Sequence, residues 1–494
     1  MRKKMNRRNF LKNTISVAAG TYFGLSACNS VSTAARGANE EIRIAVIGLG
    51  WRGGEHVEQF RKLSGVTINA VCDPDRHLLD DCLEKLRNSG IKNSSDLKGY
   101  ADAREILDRK DIDAVVIAAP NHWHALMTVW ACQAGKHVYV EKPVSHSIWE
   151  GHKMVEAARK YNRIVQAGTQ HRSCPAVQQA AKDIQAGKYG KVLWVHCSRL
   201  NSREAIGKVT EPQPVPDYID YNLWAGPAPM TPVMRKKFHY DWHWQWNWGD
   251  GDMANWGIHY LDDLRHLLGW DNVPESVIAG GNRFGWDDNG QTPNMHFALM
   301  EYDGLKVVVD VRNLPDPKRR GGSAGALYLG RRDGNYIQCE NASVRISRGG
   351  GGAYDNKDQR IFQYKGDGGA AHAQNFIDAL RKNSNKGLNA EIETGHLSTA
   401  MCHQANICFR AGREAPVEQI RENIKEHEDA LNTFKDMLEQ LDGNSVKLDE
   451  HPFIFGPALT YDRRLESFTG ANSDIANKYV KCSYREPFIL PESV

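Results

Sequence analysis

Hydrophobic and polar positions follow two different patterns along this chain. Between residues 42 and 140, short buried-type apolar runs alternate with stretches of helical periodicity. Four such runs predict strands, at residues 42–47, 67–72, 113–119 and 137–140. Helices are predicted from residue 51 to about Leu63 and from Asn121 to Ala134. Strands that alternate with helices at this spacing predict an α/β domain with a doubly wound parallel sheet.

The pattern changes after about Gln170. A helix is predicted at residues 175–186, and strands at 192–196, 277–282, 295–302 and 305–311, with an Asp303-Gly304 turn signal between the last two. Hairpin signals of this kind predict a separate α+β domain with a large, mostly antiparallel sheet. The glycine run at 349–352 predicts a loop, and residues 422–441 predict a charged surface helix.

The first 28 residues are typical of an export signal. Arg7 and Arg8 precede a weakly apolar stretch at residues 14–22, which is too short to span a membrane. Twin arginines in this place predict a Tat-type signal, and Leu-Ser-Ala before Cys28 resembles a bacterial lipobox. We therefore expect an exported, periplasmic protein, lipid-anchored to a membrane at Cys28. The alternative is a signal that is cleaved without lipidation.

The rest of the chain divides into four predicted segments. A polar linker at 29–40 precedes the α/β domain at 41–165, and the α+β domain, expected to bind substrate and mediate oligomerisation, spans 166–415. A C-terminal helix and an extended tail, at 416–494, are expected to pack on the fold. The chain of 494 residues is long enough for two such domains.

Composition excludes several classes of partner. The formal charge of +3 provides no field that would attract nucleic acid. Ten cysteines without a C-x-x-C pair or a zinc-type spacing predict no metal site. Tryptophans are crowded in one segment, which indicates either a wall for a ligand ring or core packing. They are Trp242, Trp244, Trp246, Trp248 and Trp256.

A glycine turn follows the first strand and opens a helix. In Gly48-Leu49-Gly50-Trp51-Arg52-Gly53, the glycines permit a tight turn in which backbone amides can approach a diphosphate. Asp73 ends the next strand, where its carboxylate can accept the ribose hydroxyls and repel a 2′-phosphate. This pair predicts bound NAD rather than NADP; the alternative is a glycine turn without a ligand.

Three ordered motifs resemble a known family. The motifs are Ala119-Pro120-Asn121-His122-Trp123-His124, Glu141-Lys142-Pro143 and Gly257-Ile258-His259-Tyr260-Leu261-Asp262. They are similar to those of the Gfo/Idh/MocA oxidoreductases, which include glucose-fructose oxidoreductase and inositol dehydrogenase. The resemblance runs from about Ile42 to Arg413. The C-terminal Tyr-Arg-Glu-Pro-Phe tail is similar to that of a secreted bacterial branch of the family.

The resemblance implies catalytic roles for two residues. Lys142 would lie between the nicotinamide and the substrate hydroxyl, where an ammonium stabilises a developing alkoxide, and the bond to Pro143 would be cis or strained. His259 would accept the alcohol proton. The alternatives are a solvated loop lysine and a packed histidine. The cofactor contacts implied after the predicted strands at 113–119 and 137–140 are Pro120, Asn121, His124, Glu141 and Lys142.

One position departs from the family pattern. Asn255 stands where the family usually has an Asp, four residues before His259. Because an amide cannot take a proton, either His259 works with less support or Asp252 or Asp250 substitutes. The predicted substrate-binding residues are Lys142, Arg172, His239, Trp244, Asn255 and His259.

Three functions are compatible with these residues. The first is hydride transfer between NAD and a ring hydroxyl of a sugar, glycoside or cyclitol, with the dinucleotide tightly held because free NAD is scarce outside the cytoplasm. The second is an NAD-dependent glycosidase that oxidises, eliminates, hydrates and reduces. The third is a non-catalytic sugar-binding lipoprotein. Family analogy also implies a homo-oligomer, either a dimer or a tetramer.

Overall fold

The computed structural model describes residues 41–90, 96–318 and 325–494. The predicted signal, the linker and Cys28 lie outside these ranges. In the described ranges, no helix combines the length and the hydrophobicity needed to cross a bilayer.

The first sheet has six parallel strands in the order β3-β2-β1-β4-β5-β6. Helices cover both of its faces, so the predicted doubly wound α/β fold is confirmed. Its strands are β1 (Ile42–Ile47), β2 (Val66–Cys72), β3 (Lys98–Tyr100), β4 (Ala114–Ile117), β5 (His137–Val140) and β6 (Val165–Ala167). The helices among them are α1 (Trp51–Phe60), α2 (Arg76–Asn88), α3 (Ala103–Leu107), α4 (Asn121–Gln133) and α5 (Ile148–Lys160).

Local sequence explains why these elements form. The central strand β4 is Ala-Val-Val-Ile with every residue buried, because helices lie on both faces of the sheet. At the start of α2, the Asp75 carboxylate accepts hydrogen bonds from the His77 and Leu78 amides. This cap fixes where α2 leaves the carboxyl edge of the sheet, which is the edge that bears the site.

The second sheet has twelve strands and is mixed but mostly antiparallel, as predicted. Its main path is β14-β13-β12-β11-β7-β10-β9-β8-β16-β15, with β17 on β8 and β18 on β17; β7 and β10 run parallel. The strands are β7 (Val192–Leu200), β8 (Ser276–Asn282), β9 (Met295–Tyr302), β10 (Leu305–Arg312), β11 (Asp333–Cys339), β12 (Ala342–Ser347), β13 (Gly350–Asp355), β14 (Arg360–Lys365), β15 (Arg413–Ala415), β16 (Phe453–Phe455), β17 (Leu459–Asp462) and β18 (Ser467–Thr469).

Helices pack on both faces of this sheet. On one face, α6, α9 and α11 bury residues such as Leu261, Leu264 and Met401 in a single core. On the other, Phe434 and Met437 of α13 pack near Phe297. The helices are α6 (Pro175–Gln185), α7 (Tyr221–Ala225), α8 (Gly251–Asn255), α9 (Gly257–Leu268), α10 (His372–Lys382), α11 (Ile392–Arg410), α12 (Val417–Ile424), α13 (Glu428–Gly443) and α14 (Ser473–Ala476). Short 3-10 helices span Gln170–Ser173, Asp241–Trp244 and Asn477–Tyr479.

Two element predictions are wrong. The glycine run at 349–352 is not only a loop, because β13 begins at Gly350 and pairs with β12 and β14. The predicted helix at 422–441 is two helices, since α12 ends at Ile424 and α13 begins at Glu428. The C-terminal segment also contributes strands β16 and β17 to the second sheet rather than only packing on it.

Three fully enclosed histidines should make the fold sensitive to acid. Burial lowers the pKa of His122 and His296 to about 3 and that of His372 to about 4. In the unfolded chain these three rings become protonated at about pH 6.5. Below that pH, the unfolded chain therefore binds more protons at these rings than the folded chain does. We expect the free energy of unfolding, measured by urea denaturation, to fall below pH 6.5 by about 1.4 kcal/mol per pH unit for each ring. An equal free energy of unfolding at pH 7 and pH 5 would contradict this.

Candidate active site

A cavity of about 870 Å³ runs along the carboxyl edge of the first sheet, and residues from Gln170 onward line its other side. Its wall passes from the end of β3, at Asp102, to the end of β5, at Lys142. Ligands of open parallel sheets bind at this edge. The residues between β7 and α9 that line it include Arg199, Asn201, Arg203, His239, Tyr240, His243, Asn255, Trp256 and His259.

The glycine turn forms one part of the wall, and each glycine has a different reason to lack a side chain. Gly48 has φ +86°, and a Cβ there would lie 2.6 Å from the Ala118 carbonyl oxygen. A Cβ on Gly53 would lie 1.8 Å from the Gly48 carbonyl oxygen, so strand and helix could not pack. A Cβ on Gly50 would meet nothing within 4 Å and would occupy the cavity itself. Gly50 therefore keeps open a space that a diphosphate fits.

The amino terminus of α1 faces this space without a competing cap. Among the described residues, no side chain caps the helix, and the first helical turn holds no acidic residue. Its free backbone amides and the helix dipole suit an anionic ligand. The predicted turn residues Leu49, Trp51 and Arg52 lie here; Trp51 is exposed and lines the cavity with Arg52, whereas Leu49 is buried.

Asp73 lies at the end of β2 beside this turn. Its carboxylate accepts hydrogen bonds from the Leu49 amide at 2.7 Å and the Asp75 amide at 2.9 Å. Burial raises the pKa of Asp73, and these backbone donors oppose the shift. A carboxylate has lone pairs beyond two bonds, so Asp73 can hold the glycine turn and also accept from a ribose.

Glu141 connects the glycine turn to the end of β5. Its Oε1 accepts from Arg52 Nε at 2.8 Å and lies 2.7 Å from His56 Nε2, while its Oε2 faces the Lys142 amide at 3.2 Å. Burial raises the pKa of Glu141, but Arg52 and His56 together hold that pKa well below its usual range. Arg52 and Glu141, both predicted to contact the cofactor, therefore bind each other and fix the backbone beside Lys142.

Lys142 points across the cavity edge to the second half of the chain. Its Nζ donates to the Asn255 carbonyl oxygen at 2.8 Å and to Asn255 Oδ1 at 3.3 Å. Burial lowers the pKa of Lys142, and neighbouring Glu141 opposes the shift. The Lys142-Pro143 peptide bond is cis, as the family resemblance implied.

Asn255 is held in one orientation. Its Nδ2 donates to Asp252 Oδ1 at 3.1 Å, which turns its Oδ1 toward Lys142. Asp252 in turn accepts from Arg203 Nε and Asn313 Nδ2, each at 2.6 Å. Asp252 thus acts on Asn255 rather than on His259.

His259 is a buried, neutral base. Burial, together with the neighbouring His171 and Lys142, holds the pKa of His259 well below its usual range. The ring stacks on His171 with centroids 4.6 Å apart, and among the described residues its Nδ1 has no hydrogen-bond partner. A neutral imidazole on the wall that also bears Lys142 can accept a proton from an alcohol.

Comparison with known sequences assigns the family. A family model described as an oxidoreductase family with an NAD-binding Rossmann fold matches residues 42–169. The model of the C-terminal alpha/beta domain of the same family matches residues 176–442. The chain belongs to the Gfo/Idh/MocA oxidoreductase family. Its first sheet is the NAD-binding Rossmann fold of that family, so the predicted cofactor class is confirmed.

Curated relatives match only part of this Gfo/Idh/MocA family member. A glycosyl hydrolase family 109 protein of Shewanella pealeana is 34% identical over 171 residues, which cover 32% of this chain and 38% of the relative. An alpha-N-acetylgalactosaminidase of Shewanella oneidensis is 33% identical over 175 residues, which cover 32% of this chain and 37% of the relative. The chain thus spans less than two-fifths of the length of these relatives.

Solved structures share the fold over most of the chain. The WlbA dehydrogenase from Bordetella pertussis, in complex with NADH and UDP-GlcNAcA, has a TM-score of 0.54 and 19% identity, covering 74% of this chain and 94% of that one. Levoglucosan dehydrogenase, in complex with NADH and levoglucosan, has a TM-score of 0.54 and 18% identity, covering 74% and 96%. At this identity, the likeness establishes the fold alone.

Some residues predicted to bind the cofactor have a supporting role. Asn121 Nδ2 donates to Asp250 Oδ2 at 2.8 Å, and Asp250 also contacts His146 at 3.0 Å. Asp250 therefore serves this buried cluster and does not support His259. The two ring nitrogens of His124 lie 2.6 and 2.7 Å from the Pro143 and Ala119 carbonyl oxygens. Asn121, His124 and Pro120 line the cavity, but Asn121 Nδ2 and both His124 ring nitrogens are engaged by the protein.

Two predicted substrate residues lie outside the cavity wall. Arg172 Nε donates to both carboxylate oxygens of Asp262, at 2.8 and 2.9 Å, so its charge is neutralised in the core. Trp244 is buried, with the Arg203 guanidinium 5.3 Å from its ring. His239 lines the cavity, but its Nε2 lies 2.8 Å from Asp75 Oδ2, on the Asp73 side rather than the Lys142 side.

The Lys142 end has lining residues that the sequence analysis missed. Their positions depend on β7 running past the predicted strand to Leu200 and on the turn after β12. Trp256 belongs to the tryptophan cluster, and its position next to Asn255 in the sequence is a signal that could have identified it as a cavity residue. The missed residues are Gln170, Arg199, Asn201, Arg203, Tyr240, His243 and Arg348.

A segment that we call the crossing segment, residues 215–243, lies over the cavity and contacts the first sheet domain on two sides. At the end of β2, the Asp220 amide donates to the Pro74 carbonyl at 3.0 Å, and the Arg76 amide donates to the Tyr218 carbonyl at 2.9 Å. At the start of α4, Trp123 Nε1 donates to the Trp224 carbonyl at 3.0 Å. These bonds enclose the part of the cavity that lies between Asp73 and Asn121.

Proposed function

We propose that the protein is an NAD-dependent dehydrogenase that oxidises a ring hydroxyl of a sugar, glycoside or cyclitol to a ketone. The observation that carries the proposal is the pairing of Lys142 with a neutral His259 on the wall of one cavity, beside a dinucleotide cradle. During oxidation of a secondary alcohol, a neutral imidazole can take the hydroxyl proton and an ammonium can stabilise the developing alkoxide.

The cradle residues fit NAD. Gly50 leaves space for the diphosphate, α1 offers uncapped amides, and Asp73 presents a carboxylate to the ribose. When bound, NAD supplies the hydride acceptor. His259 accepts the hydroxyl proton of the substrate, and Lys142 donates a hydrogen bond to the same oxygen as its negative charge develops. Asn255, fixed by Asp252, holds the Lys142 ammonium in place.

The cofactor is proposed to be resident rather than exchanged at each turnover. The crossing segment is hydrogen-bonded on both sides of the dinucleotide path, through backbone groups at the end of β2 and through the Trp123 side chain at the start of α4. We infer that these bonds slow the release of a dinucleotide. A second carbohydrate carbonyl would then reoxidise the cofactor in place.

The proposal is tested on protein purified without added nucleotide. The protein is denatured, and the supernatant is assayed for NAD(H) and NADP(H); near-stoichiometric NAD is expected. Single-turnover mixing with a panel of neutral and acidic sugars and glycosides should then produce NADH absorbance and, by mass spectrometry, a product lighter by two hydrogens. Protein that neither contains NAD nor binds added NAD would refute the proposal.

A second candidate is favoured by the curated relatives, which are named as glycosyl hydrolases over the matched third of the chain. In that reaction, a ring hydroxyl is oxidised, the aglycone is eliminated, water adds and the ketone is reduced again. The panel distinguishes the two reactions, because the glycosidase releases aglycone without net oxidation of the sugar.

We also propose that the protein is exported, lipid-anchored at Cys28 and homo-oligomeric. The twin arginines and the Leu-Ser-Ala-Cys sequence support the first two points. Exposed apolar side chains on strands of the second sheet, Leu193, Ile361 and Phe362, support the third.

A further inference from the structure

Three arginines line the Lys142 end of the cavity. Arg199 is near the end of β7, Arg203 follows the same strand, and Arg348 lies in the turn between β12 and β13. Together with Lys142 they place four cationic side chains around the position proposed for the sugar. None of them belongs to the dinucleotide cradle.

The carboxylates near these arginines do not balance their charge. Arg203 Nε donates to Asp252 at 2.6 Å, and Arg199 donates through one terminal nitrogen to Asp333 at 2.7 Å. In the described part of the chain, Arg348 has no ion pair. The acidic lining residues lie elsewhere: Glu55, Asp73 and Asp102 are in the first sheet domain, away from the arginines, and Glu141 is engaged by Arg52.

Arg199 supplies a second, independent observation. Its side chain is more than nine-tenths buried, and within the described ranges its Nε has no hydrogen-bond partner. Asp333 therefore engages this guanidinium only in part, and Nε itself is closed to solvent. Because Arg199 lines the cavity, a bound anion would contact the guanidinium through its terminal nitrogens rather than through Nε.

Two of the guanidinium groups contact the same indole, that of Trp256. The central carbon of Arg199 lies 4.1 Å from the Trp256 ring centroid, and that of Arg348 lies 5.9 Å from it. Each contact is favourable alone, but the two like charges repel each other. An anion bound in the cavity beside Trp256 would offset this positive charge.

We propose that the substrate carries an anionic group, a carboxylate or a sulfate ester, which Arg348 and Arg199 bind while Lys142 and His259 act on a ring hydroxyl. This assignment rests on the proposed dehydrogenase function. Arg348 lies in an exposed turn and takes no part in a described ion pair, so its place at the cavity is better explained by a ligand than by the fold.

The test compares neutral sugars with matched acids on the NAD-loaded protein. Calorimetry gives the Kd, and single turnover gives the rate, for glucose, glucuronate and glucose 6-sulfate and for the same three forms of galactose. At least one acid should bind about 10- to 100-fold more tightly than its neutral partner. The relative affinities of the uronates and the sulfates identify which anion is preferred.

Two variants separate the site from a general charge effect. Arg348→Gln should weaken binding of the preferred acid about 10- to 100-fold without changing that of its neutral partner. Arg360→Gln, at an exposed arginine on β14 outside the cavity, should change neither. Equal affinity for acids and neutral sugars, or an Arg348→Gln protein identical to the native one, would overturn the proposal.

The outcomes also separate this proposal from the dehydrogenase itself. Oxidation of neutral sugars with no preference for acids would retain the dehydrogenase and remove the anion site. Binding of acids that depends on Arg348, without oxidation of any sugar, would retain the anion site and remove the dehydrogenase.

Discussion

Replacing Lys142 by methionine is expected to lower kcat/KM for sugar oxidation about 1,000-fold while the protein keeps its NAD. Methionine approximates the length of the lysine side chain but cannot donate to the reacting oxygen or to Asn255, to which Nζ now donates at 2.8 Å. Stopped-flow formation of NADH gives the rate, and the dinucleotide released on denaturation gives the cofactor content.

Lys62→Met is the matched control. The Lys62 side chain is 66% exposed on the surface just after α1, so its loss should change neither the rate nor the cofactor content. If Lys142→Met retained more than about a tenth of the native kcat/KM, Lys142 would be a structural residue rather than a catalytic one.

Replacing Gly50 by alanine is expected to weaken NAD binding about 10- to 100-fold without unfolding the protein. A Cβ at Gly50 meets no atom of the described ranges within 4 Å, and the backbone φ of −59° is accessible to alanine. The methyl group would instead occupy the space that we assign to the diphosphate. NAD affinity is measured on protein that has been stripped of nucleotide and refolded, alongside the temperature of thermal unfolding.

Gly54→Ala distinguishes a ligand effect from a helix effect. Gly54 lies in α1, and a Cβ there also meets nothing within 4 Å. This variant should bind NAD normally and gain up to about 1 kcal/mol in stability from the better helix former. Equal NAD affinity in Gly50→Ala and native protein would place the diphosphate elsewhere.

Local sequence was sufficient to predict the parts of the site that single elements position. The strand-glycine-helix turn, Asp73 at the end of β2 and Lys142 at the end of β5 each depend on one strand and on the residues directly after it. The parallel sheet then brings these strand ends to one edge, whatever the details of packing.

The other half of the site depends on contacts between distant segments. Arg199 and Arg348 come together at Trp256 through the pairing of β7, β11 and β12, which no local pattern specifies. Arg172 was misplaced for the same reason, since Asp262, 90 residues away, engages its guanidinium in the core. The strand that contains residues 350–352 has close neighbours on both sides, which leave little room for side chains and so explain the glycines. A Cβ on Gly351 would lie 1.9 Å from the Arg345 carbonyl oxygen.

The carboxylate of Glu141 connects a residue of the cofactor-binding turn, Arg52, to Lys142, the residue proposed to act on the substrate. One of its oxygens accepts a hydrogen bond from Arg52 in the glycine turn, and the other faces the backbone amide of Lys142. We therefore expect a displacement of the turn to be transmitted through this one side chain to the backbone of Lys142, the residue that we propose to act on the sugar. Substitutions at Arg52 or His56 should therefore change the rate of sugar oxidation, although neither residue needs to contact the sugar.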